Sequence, residues 1–336
     1  MTLLYSDPLF LEHQTGAHPE RPLRLSTIHS HLQQTGLWDQ CEIIPFAVQT
    51  TDGAKHFSPA TREQVTRLHG GDYFDSLKQY AARGGGRLEA DTVVSSRSFD
   101  AALAGAGAAC DAVRRVLHGE DATALCLIRP PGHHALPNSA MGFCLFNNVA
   151  LAAQAALHDE SLDRVLIVDW DVHHGNGTQE MFWTSEQVGF FSSHRWPFYP
   201  GTGDAKETGA ARGLGYTRNL PLEFGISRKE FITTFTRELE QFAGKVRPQL
   251  ILLSAGFDAH REDPIGSLGL ETEDFALLTR SVRRIAAGHC GGRVVSLLEG
   301  GYHPQRLAES VGLHLGELLS NIGGAPYAGS NNSPPQ

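Results

Sequence analysis

Asp169, Asp171, His173 and His174 fall within six positions, directly after the apolar run Val165 to Val168. The run is of the aliphatic, β-branched kind that fills a buried strand. Such a strand has no reason to end in two carboxylates and two imidazoles unless something there pairs with them. A single Asp or His at that place reads as a polar strand end or a helix cap, but packing alone does not explain the whole cluster. Asp171 and His173 lie two apart, so in an extended segment their side chains point to one side, as two ligands of one metal ion would. Gly175, Asn176 and Gly177 then let the chain turn.

Asp258 supplies a third ligand. Donors O, N and O with an open position form a catalytic pattern, whereas structural zinc sites are closed and usually rich in Cys. The donor set suits zinc, and ferrous iron or cobalt also fits. His133 and His134 stand side by side on a loop stiffened by Pro130 and Pro131. Adjacent side chains diverge, so each can meet its own partner, and Asp169 and Asn176 are available. A carboxylate partner keeps one imidazole charged and an amide partner holds the other neutral, the division that acid–base catalysis requires. Tyr302 follows Gly300 and Gly301 and can donate to a developing oxyanion. Together these groups describe a metal-activated water attacking an amide or ester carbonyl. Each has a plainer reading as well: a satisfied histidine pair in a loop, or a core tyrosine. Phe143 and Tyr199 read equally as core aromatics, and His13, His18, His56, His69, His260 and His303 as surface or structural residues.

The elements that must position these groups form a repeating pattern. Apolar runs stand at Ala124 to Ile128, Val165 to Val168, Leu250 to Leu253 and Val294 to Leu298, with a possible edge strand at Thr2 to Tyr5. Helical periodicity covers Leu25 to Gln34, Thr61 to Leu68, Tyr73 to Tyr80, Phe99 to Leu117, Asn147 to Leu157, Arg228 to Ala243, Thr272 to Ala287 and Pro304 to Leu319. Ser58 is expected as a cap before Pro59. Alternating strands and helices mean an α/β fold with a parallel sheet covered on both faces. The four strands run into RPPGHHA, DWDVHHGNG, SAGFDAH and EGGYH, and ligands of open α/β sheets sit beyond the carboxyl ends of the strands. One site built from four loops is expected. No repeat or linker divides the chain, so a single domain is expected to residue 322, followed by a disordered tail over 323–336.

In 336 residues, 41% are hydrophobic and 19% charged, an ordinary globular balance. The net charge of −9 argues against a nucleic-acid partner held by general electrostatics. No apolar stretch approaches the roughly 18 residues that span a bilayer, and the first residues do not read as a secretory signal. Cys41, Cys110, Cys126, Cys144 and Cys290 form no CxxC pair and read as buried free thiols in a reducing compartment. A cytoplasmic protein is expected, with no membrane partner and an open oligomeric state.

In this order, RPPGHHA (129–135), GFCLFNNVA (142–150), VDWDVHHGNGTQ (168–179), SAGFDAH (254–260) and LEGGY (298–302) resemble the signatures of the histone deacetylase family. The resemblance runs from about residue 3 to about residue 320. With HPERPLRL (18–25) it points to the class II branch and its bacterial deacetylase-like members, the histone deacetylase-like amidohydrolases. It implies an arginase-like α/β domain with a central eight-stranded parallel sheet flanked by helices, and a catalytic zinc held by Asp171, His173 and Asp258. It further implies His134 as general base, His133 in an electrostatic or acid role, Tyr302 as the residue that polarises the acyl carbonyl, and Gly142 and Phe143 as one wall of an acyl-lysine tunnel. A structural potassium ion would be held by Asp169, Asp171, His173, Ser192 and the backbone of Ser193.

Two positions depart from the family pattern. Tyr199 stands where the second tunnel wall is usually Phe, and Ile265 stands where relatives that prefer polyamines carry an acidic gatekeeper. Tyr302, which weakly active relatives replace with His, is retained. The expected activity is zinc-dependent hydrolysis of an N-acyl amide, foremost an Nε-acyl-lysine of a peptide or protein, with acetylpolyamines or other acylated small amines as the alternative. A manganese ureohydrolase would need more Asp and His ligands, and a binding module would need neither base nor oxyanion donor.

Overall fold

A computed structural model describes residues 1–46 and 55–320. In chain order the elements are β1 (Leu3–Tyr5), α1 (Leu23–Gln34), β2 (Glu42–Ile44), α2 (Arg62–Thr66), α3 (Gly71–Ala82), β3 (Gly85–Arg87), β4 (Val93–Ser95), α4 (Ser98–Leu117), β5 (Thr123–Cys126), α5 (Asn148–His158), β6 (Val165–Asp169), α6 (Asn176–Phe182), β7 (Val188–Arg195), β8 (Thr217–Leu222), α7 (Arg228–Val246), β9 (Leu250–Ala255), α8 (Thr272–Cys290), β10 (Val294–Leu298) and α9 (Pro304–Leu319). Eight strands form one parallel sheet in the order β2-β1-β5-β10-β9-β6-β7-β8, and β3 and β4 make a separate hairpin. Every residue of β5, β6, β9 and β10 is buried, so both faces of the central sheet are covered. The helices do this in two groups: α1, α9, α8 and α7 pack successively on one another, and α4 packs on α3 and α5.

Register explains why the chemistry collects at one edge. Asp169, the last residue of β6, is paired with Ser192 of β7 on one side and Ser254 of β9 on the other. All strands being parallel, the loops after β5, β6, β7, β9 and β10 leave from that same edge.

Three expectations are corrected. Leu3–Tyr5 lies inside the sheet, between β2 and β5, and the edge strand is Glu42–Ile44, whose three residues are too few to show a period. Val188–Arg195 and Thr217–Leu222 are strands that the apolar runs did not mark; β8 alternates and carries Pro221, in keeping with its place at the opposite edge. Ser58 caps nothing. The segment from Ser58 to Ala60 is laid across α4, where Ala60 N–H donates to Leu103 O at 2.9 Å and a Cβ on Gly107 would stand 2.0 Å from Ser58 O. The helix begins later, at Thr61, with a reciprocal capping box to Gln64. The expected tail, 323–336, lies outside the described residues. All five cysteines are free; Cys126, Cys144 and Cys290 are buried, whereas Cys41 and Cys110 are half-buried.

His314 ties α9 to the sheet and to α8. Thr279 spends its proton on Phe275 O at 2.6 Å, so its Oγ1 accepts from His314 Nδ1 at 2.7 Å, and Ser296 Oγ donates to Nε2 at 2.9 Å. This fixes a neutral imidazole, and burial lowers its pKa to about 3. Between that value and the unfolded one near 6.5 the unfolded chain holds more protons. Stability therefore falls as pH drops through this window, at up to ~1.4 kcal/mol per pH unit for each such group. Chemical denaturation from pH 7 to pH 4 is expected to show this slope, and His314→Gln is expected to flatten it by about one proton equivalent.

Candidate active site

The end of β6 is shaped by its own carboxylates. Asp169 Oδ1 accepts from Asp171 N–H at 3.0 Å, and Asp171 Oδ1 accepts from His173 N–H at 2.9 Å, which turns the chain so that Asp171 and His173 face one point. Asp258, from the loop after β9, is locked by Val172 N–H at 2.9 Å, and Asp171 Oδ2 takes Gly300 N–H at 2.8 Å. A Cβ on Gly300 would lie 2.2 Å from Asp258 Oδ2, so only glycine lets the β10 loop approach the carboxylates this closely.

Asp171, His173 and Asp258 are buried, and their ligand atoms lie within 4.8 Å of one another. His173 Nδ1 is 3.1 Å from both Asp171 Oδ1 and Asp258 Oδ2. Burial, and then the charge of Asp171, push the Asp258 carboxyl up to about 7. Burial works against a charge on His173, but Asp171 and Asp258 outweigh it and raise its pKa to about 10. The pocket thus stabilises positive charge between two carboxylates, and its O, N, O donors could hold a divalent metal ion.

Beside this group the histidine pair is divided. His133 Nδ1 donates to Asp169 Oδ2 at 2.9 Å, and His134 Nδ1 donates to the amide oxygen of Asn176 at 2.7 Å. The rings are 4.0 Å apart between centroids. Burial opposes charge on both. For His133 the carboxylates of Asp169 and Asp171 win and lift its pKa to about 10. For His134, burial and the positive charges of His133 and His173 outweigh the Asp171 carboxylate and the Asn176 hydrogen bond and hold it well below its usual range. One imidazolium and one neutral imidazole therefore sit side by side. Ser192 Oγ, next to Asp169 in register, is bonded to His194 Nδ1 at 2.9 Å, and Ser193 Oγ is buried without a partner among the described residues.

A cavity of about 240 Å³ leads to these groups. Phe143, Phe198 and Tyr199 form its aromatic walls, with Gly142, Ile265 and Asp91 beside them, and His134, His173 and Tyr302 at its inner end. Phe143 has a left-handed backbone (φ 71°), held by its N–H bond to Thr92 Oγ1 at 3.1 Å. Its ring meets Tyr302 edge-on at 5.6 Å. Phe198 stacks on His173 at 5.2 Å and is backed by the guanidinium of Arg195 at 4.1 Å. Burial, then the nearby Asp258 carboxylate, push the Tyr302 phenol well up. A larger depression of about 670 Å³ between α1, α8 and α9 is lined by none of these residues, and chemistry selects the smaller cavity.

Several contributors escaped sequence reasoning. Asp91 and Phe198 carry no motif. Glu299, in contrast, lies within LEGGY and follows a buried strand, a signal that was legible. Its carboxyl accepts from Gly132 N–H at 2.7 Å, His133 N–H at 3.2 Å and Ser254 Oγ at 3.0 Å, fixing the histidine loop, and burial raises its pKa to about 7. His18 is tied to the cavity rim rather than merely structural: it packs edge-on to Phe143 at 4.5 Å and donates to Asp91 O at 3.0 Å. His13, His69, His260 and His303 bond to neighbouring side chains or backbone away from the cavity, as expected.

Residues 18–318 match the histone deacetylase domain. The chain is 38% identical over 297 residues to a probable deacetylase of Archaeoglobus fulgidus, covering 87% of this chain and 79% of that one. It is 38% identical over 332 residues to the polyamine deacetylase HDAC10 of Homo sapiens, covering 95% of this chain and 46% of that protein. The crystal structure of the HDA15 HD domain superposes with a TM-score of 0.86 at 34% identity, covering 95% of this chain and 88% of that one. If the Asp171, His173 and Asp258 group holds a metal, Asp258→Ala should weaken cation binding by more than the roughly 10- to 100-fold typical of losing an outer-shell partner. Metal content after equilibrium dialysis against a graded series of free cation measures it.

Proposed function

We propose that this chain, which belongs to the histone deacetylase family and is a hydrolase of amide C–N bonds, removes the acyl group from an Nε-acyl-lysine. The observation that carries the reading is the divided histidine pair, set beside the buried Asp–His–Asp group at the end of a narrow aromatic cavity. A cavity walled by Phe143, Phe198 and Tyr199 suits a linear methylene chain and gives little room to a branched one.

The chemistry follows from each environment. Asp171, His173 and Asp258 would hold zinc, which would supply Lewis acidity toward the acyl carbonyl and the attacking water, and ferrous iron or cobalt would suit the same donors. Neutral His134, oriented by Asn176, takes the proton of the attacking water through its free Nε2. His133, kept protonated by Asp169, offsets negative charge developing beside it and can return a proton to the departing amine. Tyr302 donates its phenolic proton to the oxyanion in a hydrogen bond. The new C–O bond replaces the C–N bond, and the products are a carboxylate and a free amine. Asp169, Asp171, His173, Ser192 and the Ser193 backbone are proposed to hold a potassium ion that steadies the β6 and β7 ends.

A small-molecule substrate is the second reading. The similarity to a polyamine deacetylase favours it, as does the Asp91 carboxylate lining the cavity, which offers a partner to a second ammonium group. Ile265 favours acyl-lysine, because no carboxylate stands at that wall. The net charge of −9 gives no footing for nucleic acid, and among the described residues no helix is long and apolar enough to cross a membrane. The five free thiols suit the cytoplasm.

The test is turnover of the zinc-loaded protein on acyl-lysine peptides of increasing acyl length and on acetylated polyamines. Faster kcat/KM on lysine peptides is expected, and the opposite preference would establish the metabolite reading. Tyr302→Phe is expected to lower kcat by roughly 10²- to 10³-fold with little change in KM, the signature of a lost oxyanion donor.

A further inference from the structure

Asp263 is a buried acid that no cation pairs with among the described residues, and only backbone N–H groups satisfy its carboxyl oxygens. Oδ2 accepts from Tyr302 N–H at 2.7 Å, while Oδ1 accepts from Ile265 N–H and Gly266 N–H, both at 2.9 Å. Three charge-assisted bonds from backbone N–H groups answer the burial of a carboxylate, and the same bonds hold those amides in place. Here they belong to two separate segments that line the cavity: the one carrying the Tyr302 phenol, and the loop carrying Ile265. We infer that Asp263 is a positioning residue for amide hydrolysis, holding the backbone of Tyr302 so that its phenol meets the acyl oxygen, and coupling that placement to the Ile265 wall.

Tyr302 needs such a restraint. It follows two glycines, and Gly301 has φ +119°, where the backbone is permissive. Gly300 is held through its N–H to Asp171 and its carbonyl to Phe257 N–H, and Gly301 O takes Arg24 Nε at 2.6 Å. Beyond these points, among the described residues, Asp263 alone fixes the Tyr302 amide. The loop of Asp263 is meanwhile anchored independently. Ser267 N–H donates to Asp258 O at 2.7 Å, Leu268 N–H donates to Ala259 O at 3.0 Å, and Arg195 donates to Gly266 O at 3.0 Å. Loss of the carboxylate therefore frees Tyr302 more than it frees the loop. In Asp263→Asn one oxygen becomes an NH₂ group, which must face an N–H on one side or the other and cannot hold both ends.

The inference rests on the reading of Tyr302 as the oxyanion donor, and a double-mutant cycle separates the two. In the zinc-loaded enzyme with an acyl-lysine peptide, Asp263→Asn is expected to lower kcat roughly 10- to 100-fold, the cost of a small misplacement, with KM and metal content within about twofold. In the Tyr302→Phe background the same change is expected to alter kcat by less than about twofold, because the phenol it positions is already gone. Equal losses in both backgrounds would overturn the inference, since Asp263 would then act by another route. If Tyr302→Phe alone leaves kcat intact, the oxyanion assignment fails first and the inference falls with it. Should the Asn variant not fold, Asp263→Glu, which keeps both acceptors but displaces them by a methylene, goes through the same cycle with the same criteria.

Discussion

The constraint on which this structure depends is the concentration of buried carboxylates at one sheet edge. Asp169, Asp171, Asp258, Asp263 and Glu299 all lie within a few residues of strand ends or in the loops that follow them, and all are buried. Isolated, any one of them would cost several kcal/mol to bury or would take up a proton. Backbone N–H groups from the loops answer most of that cost, and the answer also sets the loops in place. Asp169 turns the β6 end, Glu299 holds the histidine loop, Asp258 fixes Val172, and Asp263 grips Tyr302. What remains uncompensated is negative potential at the centre. That potential keeps His133 charged and suits a divalent cation between Asp171 and Asp258.

Behind the site a second buried cluster does the matching work with charges. Glu20 bridges Arg24 and Arg129: Arg24 Nη1 donates at 3.1 Å and Arg129 Nη2 at 2.6 Å, while Arg129 Nη1 donates to Phe10 O at 2.9 Å. Arg24 also donates to Glu299 O at 2.5 Å and to Gly301 O, and it lies under the Tyr302 ring at 5.0 Å from its centroid. This network links the segment before α1 to the loops after β5 and β10. Buried ion pairs of this kind roughly balance their own desolvation, so the network's part is to join these segments rather than to add much net stability.

The aromatic walls sit on this rigid floor. Phe143 is braced by His18 and Thr92, and Phe198 by His173 and Arg195. Tyr199 is the more exposed wall, and burial together with the Asp91 carboxylate raises its phenol's pKa, so the hydroxyl stays protonated at the cavity mouth. The departure at Tyr199 thus adds a hydrogen-bonding group at the rim without adding charge.

Much of this was legible in the residues themselves. A β-branched run ending in Asp169, Asp171 and His173, a proline-stiffened histidine pair and a tyrosine after two glycines point to the proposed chemistry together, because packing explains each singly but not the whole set. Parallel strands then require their loops to share an edge. The short and alternating strands β2 and β8 were not legible, for they lack an apolar run, nor was the interior place of β1, which depends on what pairs with it. The allocation of partners was decided by tertiary structure alone. Which histidine meets the carboxylate and which the amide, and so which is charged, depends on how the β5 and β6 loops meet in space. Asp91, Phe198 and Asp263 enter the site for the same reason: their roles come from segments distant in sequence, brought within hydrogen-bond or ring contact only when the sheet closes. Local residue types determine what chemistry is possible, while electrostatic environment is a sum over neighbours that only the fold assembles.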